Sequence, residues 1–144
     1  MKLITLFTAF IIGFYFTLPA QVDVAKQCKK AKYDAQQSRL KAKEFDKKLA
    51  LKLYKNEFTF LLKAEKICGT YNNNGVKLLM RSHMSIKKLE TDKLTKAKYS
   101  DSMTGVFERA IIRGVKLDSM THGFRARLYV AASEPNFFKA DEQF

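Results

Sequence analysis

The chain has 144 residues, with 27 Lys and Arg against 14 Asp and Glu, a net charge of +13, and 47% hydrophobic residues. That is enough chain and apolar content to bury one small core, which excludes a purely disordered charged tail. Lys outnumbers Arg 21 to 6; lysine is a flexible, hydrated point charge, whereas bidentate reading of phosphates and base edges draws on Arg, so the charge favours long-range attraction to anionic surfaces and disfavours nucleic acid.

Lys2 is followed by an uncharged apolar run from Leu3 to Leu18, then Pro19 and Ala20. This is the layout of a secretory signal over residues 1–20, with cleavage between Ala20 and Gln21. A retained membrane anchor is the alternative, but sixteen helical residues rise only ~24 Å against a hydrocarbon core of ~30 Å. The expected product is exported, periplasmic or secreted, and loses only Lys2 among its charges, leaving a net charge of +12. Cys28 and Cys68 are the only cysteines; in an oxidising compartment they are expected to pair.

From Val22 to Cys68 there is no Gly or Pro, and Ala, Leu, Lys, Gln and Glu are abundant, which reads as helix. A seam at Val24, Cys28, Ala31, Ala35, Ser38, Ala42, Phe45 and Leu49 alternates steps of four and three, the stripe of a helix laid against a partner. Beyond it the apolar surface widens into two stripes, one through Leu53, Phe60, Ala64 and Ile67, the other through Leu51, Tyr54, Phe58, Leu61 and Cys68. A helix apolar on two sides is usually central in a bundle. A straight helix would hold the two cysteines about 60 Å apart, while a disulfide needs Cα atoms within ~7 Å. If they pair within one chain, the helix folds back, with the turn near Asp46 and two helices over 22–44 and 46–68; a single long helix remains the alternative. The stretch Ala42–Leu51 looks somewhat like the middle of a tetratricopeptide unit, but the period of about 34 residues and the closing proline are missing, and no repeat is assigned.

Gly69 supplies a helix stop and Thr70–Gly75 reads as a loop. A further helix is expected from Val76 toward Lys88, burying Leu79, Met80, His83 and Ile86. Asp92 is a candidate cap, and Asp101 a stronger one, because Met103, Val106, Phe107, Ala110, Ile111, Gly114 and Leu117 follow it at helical offsets. Lys41-Ala42-Lys43 before Asp46 is echoed by Lys96-Ala97-Lys98 before Asp101, which points to a second turn there. Phe124 to Ala132 alternates like a strand. No partner strand is visible and a lone strand leaves its backbone unsatisfied, so a last helix ending before Pro135 is expected. The expected fold is an all-α small bundle of four to five helices built from antiparallel hairpins, spanning 21–134, with one disulfide and a C-terminal tail over 135–144.

No residue pattern commits to catalysis. His83 falls on a buried helix side, His122 sits beside Gly123 in an expected turn, and a Cys-His nucleophile pair would need a free thiol. Glu44 with Asp46 and Asp141 with Glu142 are too close in sequence to face each other on a helix. Metal-ligand spacing and phosphate-cradling loops are missing, and no cofactor is expected. The feature with functional content is the basic surface, for which Lys26, Lys29, Lys30, Lys47, Lys48, Lys52 and Lys55 are the candidates. The leading expectation is a non-enzymatic interaction protein docking on an acidic protein or an anionic envelope component, with peripheral membrane contact. The runner-up is a periplasmic holdase-type chaperone, a family this chain is similar to in composition and helicity. A membrane-active toxin or lysis factor acting through Met103–Leu117 is third.

Overall fold

Four helix starts are each set by one Asn or Asp. In the computed structural model, which describes residues 23–68 and 71–131, the five helices are α1 (23–42), α2 (Lys47–Cys68), α3 (Asn73–Leu89), α4 (Lys93–Ile112) and α5 (Ser119–Ala131). Asp46 accepts from Leu49 N at 3.0 Å, Asn72 from Gly75 N at 3.1 Å, Asp92 from Thr95 N at 2.7 Å and Asp118 from Thr121 N at 3.0 Å. Each side chain satisfies an amide that the helix itself leaves without a partner. No strand occurs among the described residues. The expected signal segment, its Ala20–Gln21 cleavage point, Gly69, Pro135 and the tail lie outside the described residues.

The chain is all-α, and Cys28 is bonded to Cys68 with Cα atoms 5.3 Å apart. Between these cysteines the chain turns at 43–46, where Lys43 N donates to Leu40 O and Glu44 N to Lys41 O. As residue numbers rise from Cys28 to Arg39 along α1, their partners fall from Cys68 to Glu57 along α2, eleven steps up for eleven down. Ala31, Ala35, Ser38 and Ala42 of the expected seam are buried, their small side chains letting α1 approach closely. Val24, Phe45 and Leu49 are exposed instead. The reversal explains the last two: a period continued through a turn no longer marks one face.

From α2 onward, α2 packs on α3, α3 on α4 and α4 on α5. Phe58, Leu61 and Ala64 of α2 join Val76, Leu79, Met80 and Ile86 of α3, Met103, Val106, Phe107 and Ala110 of α4, and Leu128 of α5 in one core. Gly75 is required where Tyr71 folds over the start of α3, because a Cβ there would lie 2.6 Å from the Tyr71 ring.

Three expectations about boundaries are corrected. The loop expected to run to Gly75 ends earlier, because the Asn72 cap lets Asn73 and Asn74 enter the helix. Asp101 does not start a helix: α4 begins at Lys93 under the Asp92 cap, so the echo around Lys96–Asp101 lies inside a helix and marks no turn. That earlier turn is held by tertiary contacts of Tyr99, edge-on to Phe58, and of buried Ser100. At the other end α4 stops at Ile112 rather than continuing to Leu117. Gly114 adopts φ +73°, Gly114 N bonds Ile111 O and Val115 N bonds Ala110 O, the paired closure that a left-handed residue makes after a helix. The alternating segment is helical through Ala131, with Thr121 and Leu128 buried seven residues apart, two helical turns on one face.

Candidate functional site

Acidic residues are drawn into the bundle. Glu57, Glu65 and Glu90 are all buried, and each meets a cation from a neighbouring helix. Arg39 Nε of α1 donates to Glu57 Oε1 at 2.6 Å. Arg109 of α4 bonds both oxygens of Glu65, and Arg113 Nη1, just past the end of that helix, adds a bond of 2.7 Å to Oε1. Glu90, just past α3, accepts Lys55 Nζ at 2.6 Å and the amides of Thr91 and Asp92. The Lys55 bond is the main reason its carboxyl is held below the ordinary range. Asp118 is likewise held well below the carboxylate range, chiefly by Lys77 and then by Thr121. Glu57 and Glu65 stand on α2, and Glu90 is paired with Lys55 of α2. None of the buried pairs was legible in the sequence, since an acid on a helix reads as solvated surface until its neighbours are known.

The expected basic surface divides in two. Lys26, Lys29 and Lys30 are exposed near the disulfide, beside the C-terminal end of α2. Lys47, Lys48 and Lys52 are exposed at its N-terminal end. Twenty residues separate Lys48 from Cys68, about 30 Å of helix. Lys55 belongs to neither group: it is half-buried, paired with Glu90 and 6.0 Å from the Tyr99 ring centre. None of the other six lysines forms an ion pair among the described residues.

The end carrying Lys47, Lys48 and Lys52 also presents Leu40, Phe45 and Leu49 to solvent, with Lys41 and Lys43 between them. All lie in the turn or the helical turns adjoining it, together with exposed Glu44 and Asp46, so they form one tip that is apolar and, with five lysines to two acids, net cationic. The sequence had assigned Phe45 and Leu49 to the buried seam.

A second feature was not foreseen. A cavity of about 330 Å³ opens between α1, α2 and α3, lined by Lys32, Ala35, Gln36, Arg39, Glu57, Leu61, Leu78 and Arg81. Of these side chains, Arg39 and Glu57 share a single hydrogen bond, and Arg39 Nη2 and Glu57 Oε2 are buried with no partner.

His83 is 1% exposed, with Nε2 3.3 Å from Ser100 Oγ and its ring edge-on to Phe124. Ser100 Oγ also lies 3.1 Å from Lys96 O, and His83 Nδ1 is buried with no partner. Burial, with a smaller contribution from Lys87, lowers its pKa to about 4. Its surroundings are those of a packed side chain, as the sequence implied. His122 is corrected from a turn to the first turn of α5. Both thiols are consumed in the disulfide, and Met103, Val106, Phe107 and Ala110 pack into the core. Among the described residues no helix is long and apolar enough to cross a membrane. No protein family, curated protein or solved structure matches this chain, so a functional reading rests on its own residues.

Proposed function

We propose that the protein is an exported, non-enzymatic interaction protein that docks on an acidic protein or an anionic envelope component through the cationic tip of α1–α2. The supporting observation is the segregation of charge: Glu57, Glu65 and Glu90 are buried in cross-helix pairs, while Lys47, Lys48 and Lys52 stand exposed and unpaired beside Leu40, Phe45 and Leu49. The excess of 27 Lys and Arg over 14 Asp and Glu gives the chain one dominant sign, which raises encounter rates with anionic partners. Exposed apolar groups among the lysines add contact once the surfaces meet. Export is supported by the layout of residues 1–20 and is consistent with the disulfide.

The test is capture from an envelope extract by the mature protein at ~50 and ~500 mM salt, a range across which the Debye length falls well below ~10 Å. Capture that disappears at high salt supports docking by charge; capture unchanged across the range rejects it. A holdase-type chaperone is the second reading, favoured by exposed Leu94, Ile112 and Met120 away from the tip. Salt-independent protection of an unfolding client would select it.

A further inference from the structure

The turns before α2 and after α3 lie at one end of the bundle. Ser82 of α3 donates to Tyr54 O of α2. Eight residues back from Tyr54 is Asp46 of the α1–α2 turn, and eight on from Ser82 is Glu90 of the α3–α4 turn. Lys55 bonds Glu90 at 2.6 Å, which fixes the second turn beside the half of α2 that leads from the first. The tip lysines are joined there by Lys87, Lys88 and Lys93, which are exposed and form no ion pair among the described residues. The acids of this end are Glu44, Asp46 and Asp92 beside the paired Glu90, and Asp46 and Asp92 already accept helix amides.

This end therefore combines eight exposed lysines from two turns with the exposed Leu40, Phe45 and Leu49 of one. Protein interfaces concentrate Arg and are depleted of Lys. The exposed cations here are all Lys, and Arg39, next to Leu40, is spent on Glu57. Lysine suits a surface that offers many phosphates in no fixed geometry, because its ammonium is a hydrated point charge and its stem can lie along apolar material while the head stays wet. Apolar side chains carried on a turn can enter such a surface, while the turn backbone and Glu44 stop among the headgroups, where water still satisfies them.

We propose that this end of the bundle docks on the surface of an anionic phospholipid bilayer, with Leu40, Phe45 and Leu49 reaching the boundary of the acyl chains and the lysines of both turns set against the lipid phosphates. The proposal rests on the docking reading above and names its partner.

The chain has no Trp, so Phe45→Trp gives a single fluorescent reporter at the tip. The test uses the chain from Gln21 onward, which holds every described helix, with three probes: vesicles of phosphatidylglycerol and phosphatidylcholine in equal parts, vesicles of phosphatidylcholine alone, and soluble poly-L-glutamate. The expected result is binding to the anionic vesicles at least ~tenfold tighter than to phosphatidylcholine alone. It is accompanied by a blue shift and by quenching from bromine placed on the acyl chains, with no blue shift on poly-L-glutamate. Phe45→Ser with Leu49→Ser should weaken vesicle binding, measured by flotation, by ~tenfold or more, whereas Ile112→Ser, at a side chain 83% exposed on α4, should leave it within ~twofold. Lys87→Glu with Lys88→Glu should weaken it by ~tenfold or more. All these side chains are exposed, and circular dichroism checks that each variant folds. Binding to anionic vesicles without the shift and quenching, or unaltered in Phe45→Ser with Leu49→Ser, would overturn the lipid proposal, and unaltered binding in Lys87→Glu with Lys88→Glu would overturn the two-turn surface. Binding to poly-L-glutamate alone would overturn the lipid proposal and leave docking intact with an acidic protein as partner. Binding to none of the three probes would also overturn it, while salt-sensitive capture from the envelope extract decides the docking reading separately.

Discussion

Arg109 of α4 reaches Glu65 of α2 and bonds both of its oxygens, at 3.1 Å and 3.2 Å from Nε and 2.9 Å from Nη2. The carboxylate is 2% exposed while the arginine remains 38% exposed, so the acid depends on the contact more than the base does. Glu65→Gln should destabilise the fold by about 2–3 kcal/mol, the range for losing charge-assisted bonds to a buried group. Arg113→Ala should cost only ~1 kcal/mol, because Arg109 still covers both oxygens. Denaturant titration of the two variants checks the order; an equal loss in both would mean that Arg113 carries as much of the contact as Arg109.

The disulfide joins residues 40 apart in sequence. Closing a loop of that length restricts the unfolded chain and stabilises the fold by about 3–4 kcal/mol on the chain-entropy model. Reduction should lower the melting temperature while helicity at 25 °C persists, since the Arg39–Glu57 bond and the buried alanines still hold α1 to α2. Far-ultraviolet circular dichroism with and without reductant is the measurement. Loss of helicity at 25 °C would show that the bond, and not packing, holds α1 in place.

His83 makes stability depend on pH. Its pKa is near 6.5 in the unfolded chain and about 4 in the fold, so between these values the unfolded state binds the extra proton. Stability contributed by the neutral ring is fully present above ~6.5 and declines as pH falls, by about 2 kcal/mol between pH 7 and 5. Carboxylates held at low pKa, such as Asp118, lose their contribution only at lower pH. Denaturation midpoints across pH 5–7 should show this slope, and His83→Gln should flatten it; a slope unchanged in the variant would assign it to another group.

Docking is expected to use one lysine cluster and not the other. Near an anionic surface each basic residue contributes about 1 kcal/mol, so changing Lys47, Lys48 and Lys52 together to Glu should weaken binding by more than ~100-fold. The same change at Lys26, Lys29 and Lys30, ~30 Å away along α2, should leave it within ~threefold. Affinity for vesicles containing an anionic phospholipid, measured for both triple variants, separates them. Equal losses would mean that net charge rather than the tip governs association.

The exported protein is expected to begin at Gln21. Intact-mass measurement on the exported fraction decides this, and a mass retaining Met1–Ala20 would make the protein membrane-anchored.

The physical basis for reading this chain by itself is local. Uninterrupted helix-forming composition from Val22 to Cys68 and the buried period of Met103, Val106, Phe107 and Ala110 depend on neighbours within a few residues. The cysteine pair added one long-range fact, because helix length forbids the bond unless the chain reverses. Where the reading failed, a distant residue made the decision. Asp101 has the chemistry of a cap, but Tyr99 against Phe58 and Ser100 against His83 keep the preceding turn helical and give the start to Asp92. Phe45 and Leu49 continue a buried period in sequence, yet the turn carries them out to solvent. Glu57, Glu65 and Lys55 resemble any charged residue on a helix surface. Only packing brings Arg39, Arg109 and Glu90 against them, and a charge is stable away from water only when an opposite charge is placed within bonding distance.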